Sequence, residues 1–377
     1  MNHSKKNVPL YVDLDGTVIK TDLMFESVIL LLKKNILYVF ALIFWLIKGR
    51  AHLKFELARK TDLSASDLPL NLEFYKYLEG QRENGREIVL ISASNQKAAE
   101  VVGEYLGLFD ATYGSDKLIN LKAEQKLQKI SELSGGRDFA YAGNSADDLI
   151  IWRSAAQVII VNCQKRVAKL VRATEKLEFD RPPRMASVLL KAIRPHQWLK
   201  NLLVFVPMIL SHQILDLELL ALAIVTFISF SLCASSIYVL NDLVDLRNDR
   251  GHWNKHNRPF ASGDLPLPVG FIAGPLMFIS GTAVAFTLPI NFLFIFLFYW
   301  LINLVYSFYL KQLFILDVVT LASLYTLRII GGAEATSIEA TNWLLGFSFF
   351  LFLGLALVKR VTELLNVISI GGNDIPG

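Results

Sequence analysis

The side chains best suited to chemistry are acids in two clusters. One is Asn241-Asp242-Leu243-Val244-Asp245-Leu246-Arg247-Asn248-Asp249, which closes a long apolar stretch. Continued as a helix, it puts Asn241, Asp245 and Asp249 on one face at i, i+4 and i+8, about 6 Å apart along the axis. Oxygen ligands at that spacing suit Mg²⁺, which takes one or two carboxylates together with substrate phosphate oxygens. The basic run Lys255-His-Asn-Arg258-Pro259 follows, and Tyr306, Lys311 and Asp317 form a further polar group between apolar stretches. Acids and cations gathered at one membrane face can clamp a diphosphate: the metal takes its oxygens while Lys and Arg stabilise the leaving charge. Asp317 and Arg328 lie within an apolar segment, where an ionisable group is costly and therefore a functional candidate.

The other cluster starts near the N-terminus, where the apolar strand Val8-Pro-Leu-Tyr-Val ends in Asp13-Leu-Asp15-Gly-Thr17. A second apolar strand ends in Ser92-Ala-Ser94, and a third in Gly143-Asn144-Ser-Ala-Asp147-Asp148. This series resembles the ordered motifs of haloacid dehalogenase-type phosphatases. The resemblance implies that Asp13 is a nucleophile forming an aspartyl phosphate and Asp15 a general acid and base. It further implies that Ser92 binds phosphate and that Lys122, with Lys126 as the second choice, is the motif's cation. Mg²⁺ would be held by Asp13, Asp15, Asn144 and Asp148. Asn144 stands where that family has an aspartate, so metal binding should be weaker unless Asp148 compensates.

Asn241, Asp242, Asp245, Asp249, Arg258 and Pro259 together resemble the first signature of the UbiA superfamily of intramembrane prenyltransferases. Within it, the chain is similar to the decaprenyl-phosphate phosphoribosyltransferase branch. That likeness rests on Arg194-Pro-His-Gln-Trp-Leu-Lys200-Asn201, Tyr306 to Lys311, Leu316-Asp-Val318, Tyr325, Arg328, Gly331-Gly332 and Lys359-Arg360. It implies that Asp242, Asp245 and Asp249 hold Mg²⁺ and act in catalysis with Asp317. Substrate would be bound by Lys200, Asn201, Asn241, Lys255, Arg258, Tyr306, Lys311, Tyr325, Arg328 and Lys359. The implied reaction is transfer of 5-phosphoribose from phosphoribosyl diphosphate to a polyprenyl phosphate, for lipid-linked sugars of the cell envelope. The phosphatase-like domain would then dephosphorylate the product. A lone Asp317 joined by Arg328, in place of a second multi-carboxylate motif, fits an anionic substrate, since a guanidinium matches phosphate geometry bidentately. Two rival expectations are an aromatic-acceptor prenyltransferase of quinone or haem biosynthesis and a truncated, non-catalytic membrane scaffold.

The elements that must position these residues divide the chain. With 53% hydrophobic and 19% charged residues in 377, part of it lies in a bilayer. An α/β Rossmann-like domain with a helical cap is expected over 1–180, the cap at about 22–80, and a linker over 181–193, where Pro182-Pro183 cannot continue a helix. An all-α transmembrane bundle is expected over 194–377. Its six apolar segments are Asn201–Leu215, Leu217–Leu240, Pro268–Leu288, Ile290–Leu310, Leu313–Gly331 and Trp343–Val358. Members of the resembled family usually continue through about three more spans, so the bundle is expected to be C-terminally truncated. Lys and Arg gather in alternate connections, which by the positive-inside rule places them and the N-terminal domain in the cytosol of a multi-pass cell-membrane protein. The N-terminus is too short and too acidic for a signal peptide. Cys163 and Cys233 are far apart, so no disulfide is expected. The apolar run Ile36–Ile47, flanked by Lys33, Lys34, Lys48 and Arg50, is too short to span; it should dip into the cytosolic leaflet or pack on the membrane domain, with a buried cap helix as the alternative. Expected partners are the bilayer, the lipid phosphate and the diphosphate, with no nucleic acid; self-association is left open.

Overall fold

Strand β1 (Leu10–Val12) is apolar on both faces, as a central strand of a parallel sheet must be. The computed structural model describes residues 8–369 apart from Leu118 and Thr174, and the closing stretch Gly371–Gly377 lies outside the described residues. The chain forms two compact units, one of Met1–Val188 with Asp249–Pro268, the other of Leu189–Asn248 with Val269–Gly377.

In the first unit, β1 is followed by the helices α1 (Leu23–Lys34), α2 (Tyr38–Ile47), α3 (Arg50–Lys60) and α4 (Leu72–Glu83). Then come β2 (Ile88–Asn95), α5 (Gln96–Leu106), β3 (Ala111–Ser115), α6 (Glu124–Ser134), β4 (Ala140–Gly143), α7 (Leu149–Ser154), β5 (Gln157–Val161), α8 (Lys165–Ala168) and β6 (Lys176–Phe179). The six strands are parallel in the order β3-β2-β1-β4-β5-β6. Because side chains alternate along a strand, Leu10, Val12, Ile88 and Leu90 build one hydrophobic layer and Tyr11, Val89 and Ile91 the other. The chain crosses to the opposite side of the sheet between β3 and β4, so β1 lies at the topological switch point, where open α/β sheets place their ligands beyond the strand ends. The expected Rossmann-like fold is borne out.

The cap is the α1–α3 insertion. Asp22 starts α1 by accepting from the backbone N–H groups of Met24 and Phe25. Leu31, Trp45, Leu53 and Leu57 pack together, with Tyr38, Ala41 and Leu42 against them. The inward stripe of α2 is thus 38, 41, 42 and 45, a helical period, and its other face has no packing partner in this cluster. The buried-core alternative for α2 is excluded: Phe40 is 70% and Ile47 79% exposed.

In the second unit, α9 (Met185–Ile193) leads in from the first unit and lies within the stretch expected as a linker. A 3₁₀ run over Pro195–Phe205 and the short α10 (Val206–Leu210) follow. These two replace the expected first span: Pro207, inside the expected segment, opens a new short helix, and no helix of spanning length forms there. Helix α11 (Leu217–Val244) is capped by Asp216 and ends at Asp245; the short α12 (Leu246–Gly251) comes after. The bundle is completed by α13 (Leu267–Ala285), α14 (Ile290–Phe308), α15 (Phe314–Thr336) and α16 (Asn342–Ser369). Five helices among the described residues, α11 and α13 to α16, are long and apolar enough to cross a membrane. The core of this unit is aromatic, with Phe230, Phe292, Phe296 and Tyr299 fully enclosed. Gly332 lets α15 touch the backbone of Val204: a Cβ there would overlap the Val204 carbonyl oxygen.

Candidate active sites

In the first unit, the loop after β1 delivers Asp13 and Asp15 into a buried polar cluster. Asp13 Oδ1 accepts from the Leu14 N–H at 2.9 Å and pairs with Lys126 Nζ at 2.8 Å. Asp15 accepts from Ser94 Oγ at 2.6 Å, Ser92 Oγ at 3.2 Å and the Leu23 N–H at 2.9 Å. Burial pushes the Asp13 carboxyl up to about 7, against the pull of Lys126, and Asp148 and Asp15 add to the rise. Burial likewise lifts Asp15 to about 6, with Asp22 adding to it. For Lys126, burial alone would lower the ammonium, but the neighbouring carboxylates outweigh it and the net shift is upward.

The motif's lysine is corrected here. Lys122 precedes α6 and pairs with Asp147 at 2.9 Å, both side chains half exposed, whereas Lys126, one turn into α6, is buried on Asp13. Asp148 is enclosed as well. It accepts from Tyr141 Oη at 2.6 Å, the N–H groups of Asn144 and Ser145, and Ser145 Oγ at 3.1 Å. These bonds make it the brace of the β4 loop rather than an open ligand, so the reading in which Asp148 replaces the missing aspartate is corrected. The Asn144 amide lies against Gly16, whose lack of a side chain makes room for it. Two acids raised by burial are what a divalent cation relieves, so the set fits Mg²⁺ through Asp13, Asp15 and Asn144. One participant was not read from the sequence. Lys54, on cap helix α3, reaches Ala93 O at 2.5 Å, and its pKa is lowered by burial despite the fields of Asp15 and Asp22.

Asp249, Lys255 and Arg258 also belong to the first unit. The expectation that Asp249 shares one continuous helical face with Asn241 and Asp245 fails, because α11 stops at Asp245. Arg258 donates to the buried Asp249 at 2.7 Å, and Lys255 is exposed.

In the second unit, three ion pairs join elements distant in sequence. Arg194 donates to the buried Asp242 at 2.5 Å and stacks on Tyr238; its φ of +53° is unfavourable for a residue with a side chain. Lys311 Nζ lies 2.8 Å from both oxygens of Asp245. Asp317 is enclosed between Tyr306 Oη at 2.7 Å and Arg360 Nε at 2.5 Å. Among these helices lies a cavity of ≈ 120 Å³, lined by Lys200, Tyr238, Asn241, Tyr299, Asn303, Tyr306, Tyr325 and Arg328 among others. Its lining carries two cations, Lys200 and Arg328, and no carboxylate. Arg328 is fixed through Asn201 Oδ1 at 2.8 Å, Leu324 O at 2.6 Å and Tyr299 Oη at 2.7 Å. Asn201 also donates to Ser231 at 3.0 Å, so this fully buried amide is spent on positioning Arg328; its reading as a substrate ligand is corrected. Lys359 sits exposed on α16. Tyr299 and Asn303 were not singled out as site residues, since nothing local in the sequence marks them; Arg194 was read as part of the Arg194–Asn201 motif but given no site role.

Asn241 Oδ1 is buried with no hydrogen-bond donor. With Asp242 and Asp245 beside it in sequence, it makes an all-oxygen donor set of the type a hard cation accepts, and the set fits Mg²⁺. No cluster of three or more His, Cys, Asp or Glu suited to a metal occurs among the described residues, so substrate oxygens would have to complete the coordination.

A helical membrane unit with an acid-and-base site, joined to a parallel-sheet unit with a buried Asp-x-Asp loop, defines a membrane-embedded transferase class carrying a Rossmann-like domain. The UbiA prenyltransferase family model matches residues 202–364. An uncharacterized protein, y4nM, of Sinorhizobium fredii is 34% identical over 99% of this chain and 72% of its own length. The chain carries a domain of the UbiA prenyltransferase family over residues 202–364. A decaprenyl-phosphate phosphoribosyltransferase of Mycolicibacterium smegmatis is 34% identical over 189 residues, which are 48% of this chain and 59% of that protein. The chain thus spans less than two thirds of the length of that relative. A solved substrate-bound phosphoserine phosphatase complex is similar at 16% identity and a TM-score of 0.34, covering 47% of this chain and 96% of that one.

Proposed function

We propose that the second unit transfers 5-phosphoribose from phosphoribosyl diphosphate to a polyprenyl phosphate at the cytosolic membrane face, and that the first unit dephosphorylates the lipid product. The observation that carries the reading is the cavity wall with Lys200 and Arg328 and no carboxylate, which suits a phosphate-bearing ligand better than a neutral aromatic one. Three of the five Arg328 donors are used in fixing it, and the others remain for phosphate oxygens. The pairs Asp242–Arg194 and Asp245–Lys311 hold acid and base in contact. On this reading the acids turn to the metal and the bases to the diphosphate, so charge stays balanced as substrate enters. When bound, Mg²⁺ supplies positive charge at the phosphate oxygens of both sites. In the first unit, Asp13 attacks phosphorus, Lys126 holds the phosphate charge, and Asp15, with its pKa raised toward neutrality, exchanges the proton of the leaving oxygen and then of water. A covalently attached phosphatase meets the product at high effective concentration, which offsets a metal site weakened by Asn144.

The test is mass spectrometry of lipid products after membranes carrying the chain receive polyprenyl phosphate, phosphoribosyl diphosphate and Mg²⁺. The expected result is a lipid-linked ribose, replaced by its phosphorylated form in Asp13→Asn. Consumption of an allylic prenyl diphosphate instead would establish the aromatic-acceptor reading. The lysine correction has its own test: on a soluble aryl phosphate, Lys126→Met should cost about 10²-fold or more in turnover, and Lys122→Ala about twofold at most. The reverse order would return the role to Lys122.

A further inference from the structure

We propose that cap helix α2 is an in-plane membrane anchor that lays its outward face in an anionic lipid surface. The inward stripe of α2 is taken up by the cap core through Trp45 and its neighbours. The opposite stripe, Phe40, Ile43, Phe44 and Ile47, is more than half exposed at every position, and Ile36 and Leu37 extend it. Such a continuous apolar patch on a small helical insertion is not a water-facing surface.

Charge identifies the occupant. Between Glu26 and Glu56 the sequence has no acid, whereas Lys33, Lys34, Lys48 and Arg50 bracket the helix and are all exposed. Lys48 folds back over the Phe44 ring at 4.4 Å, keeping its stem on the apolar face and its ammonium at the edge. Cations around the rim of a purely apolar face match anionic headgroups around acyl chains. A protein partner would need acids of its own opposite each of these cations. At ten residues the helix is about 15 Å long, half of what a span requires, so it lies along the surface. Five helices among the described residues of the same chain are long and apolar enough to cross a membrane, which keeps a bilayer within reach.

The experiment uses the full chain in liposomes containing anionic lipid. Both native cysteines are buried, so nitroxide labels go to single cysteines introduced as Phe40→Cys, Phe44→Cys and Ile47→Cys, with Tyr105→Cys, exposed on α5, as the control. Accessibility to oxygen and to a water-soluble nickel chelate is read by power saturation. The expected result is oxygen-rich, nickel-poor labels at 40, 44 and 47, about 5–10 Å below the headgroups, and the opposite at 105. Removing the anionic lipid should make the three positions shallower. Nickel-rich labels at all three would show a face in water, and labels poor in both reagents a face covered by protein; either overturns the anchor. A depth unchanged without anionic lipid would overturn the role given to the cations.

Discussion

Asp245→Asn should lower transfer by about 10²-fold or more while leaving the unfolding temperature nearly unchanged. The Asp245 carboxylate is the most open of the three paired acids of the second unit, 25% exposed, and its partner Lys311 is 30% exposed. An ion pair that water reaches contributes at most about 1 kcal/mol to stability, so the change removes a charge from the site without leaving a buried ammonium behind. What is lost is one anionic oxygen for the metal and the anchor that aims Lys311. Lys311→Met should fall in the same range for the second of these reasons. Turnover and thermal unfolding of detergent-solubilised protein measure both effects, and near-normal turnover in Asp245→Asn would remove the carboxylate from the clamp.

Glu26→Ala should destabilise the first unit by about 3–5 kcal/mol. Glu26, on α1, accepts from both terminal nitrogens of Arg250, at 2.6 and 3.1 Å, and from Thr21 Oγ1 at 2.5 Å. Both charged side chains are over 90% buried. Truncating the acid leaves a guanidinium without its counter-charge in a place water cannot reach. Replacing the pair together, Glu26→Leu with Arg250→Met, should recover much of the loss, because two apolar groups need no compensation. Chemical unfolding followed by a probe on the first unit gives the number; a loss under about 1 kcal/mol in Glu26→Ala would mean that water reaches the pair.

The legible parts of this molecule were those encoded by neighbours in sequence. Strands that carry Asp13, Ser92 and Asn144 near or just beyond their C-terminal ends could be read because a buried parallel strand is a short apolar run and the polar residues that follow it stand out. The choice between Lys122 and Lys126 was not encoded in the spacing: Lys126, Ile130 and Ser134 repeat every four residues on the buried side of α6, Lys122 continues the same period, and only the start of the helix at Glu124 separates the two. The apolar run before Leu217 misled, since hydropathy does not register that Pro207 divides it between a 3₁₀ run and a short helix. Contacts such as Arg328 with Asn201, 127 residues apart, and Arg250 with Glu26, 224 apart, leave no local trace. Hence the sequence could nominate Asn201 as polar and functional but could not tell a ligand of substrate from a ligand of arginine. The break of α11 at Asp245 belongs to the same class, as its carboxylate is engaged by a lysine from another connection.

The first unit is written in two instalments, with Leu189–Asn248 between them. On the ribosome, at about 5–20 residues per second, Glu26 therefore waits several seconds beyond the completion of β6 before Arg250 is made. All of α11, 28 mostly apolar residues, is made in that interval and leaves the ribosome ahead of Arg250. A chain that ends before Arg250 would carry a sheet and cap whose buried Glu26 lacks its counter-charge. Completion of the first unit is in this way tied to synthesis of the first long apolar helix of the second.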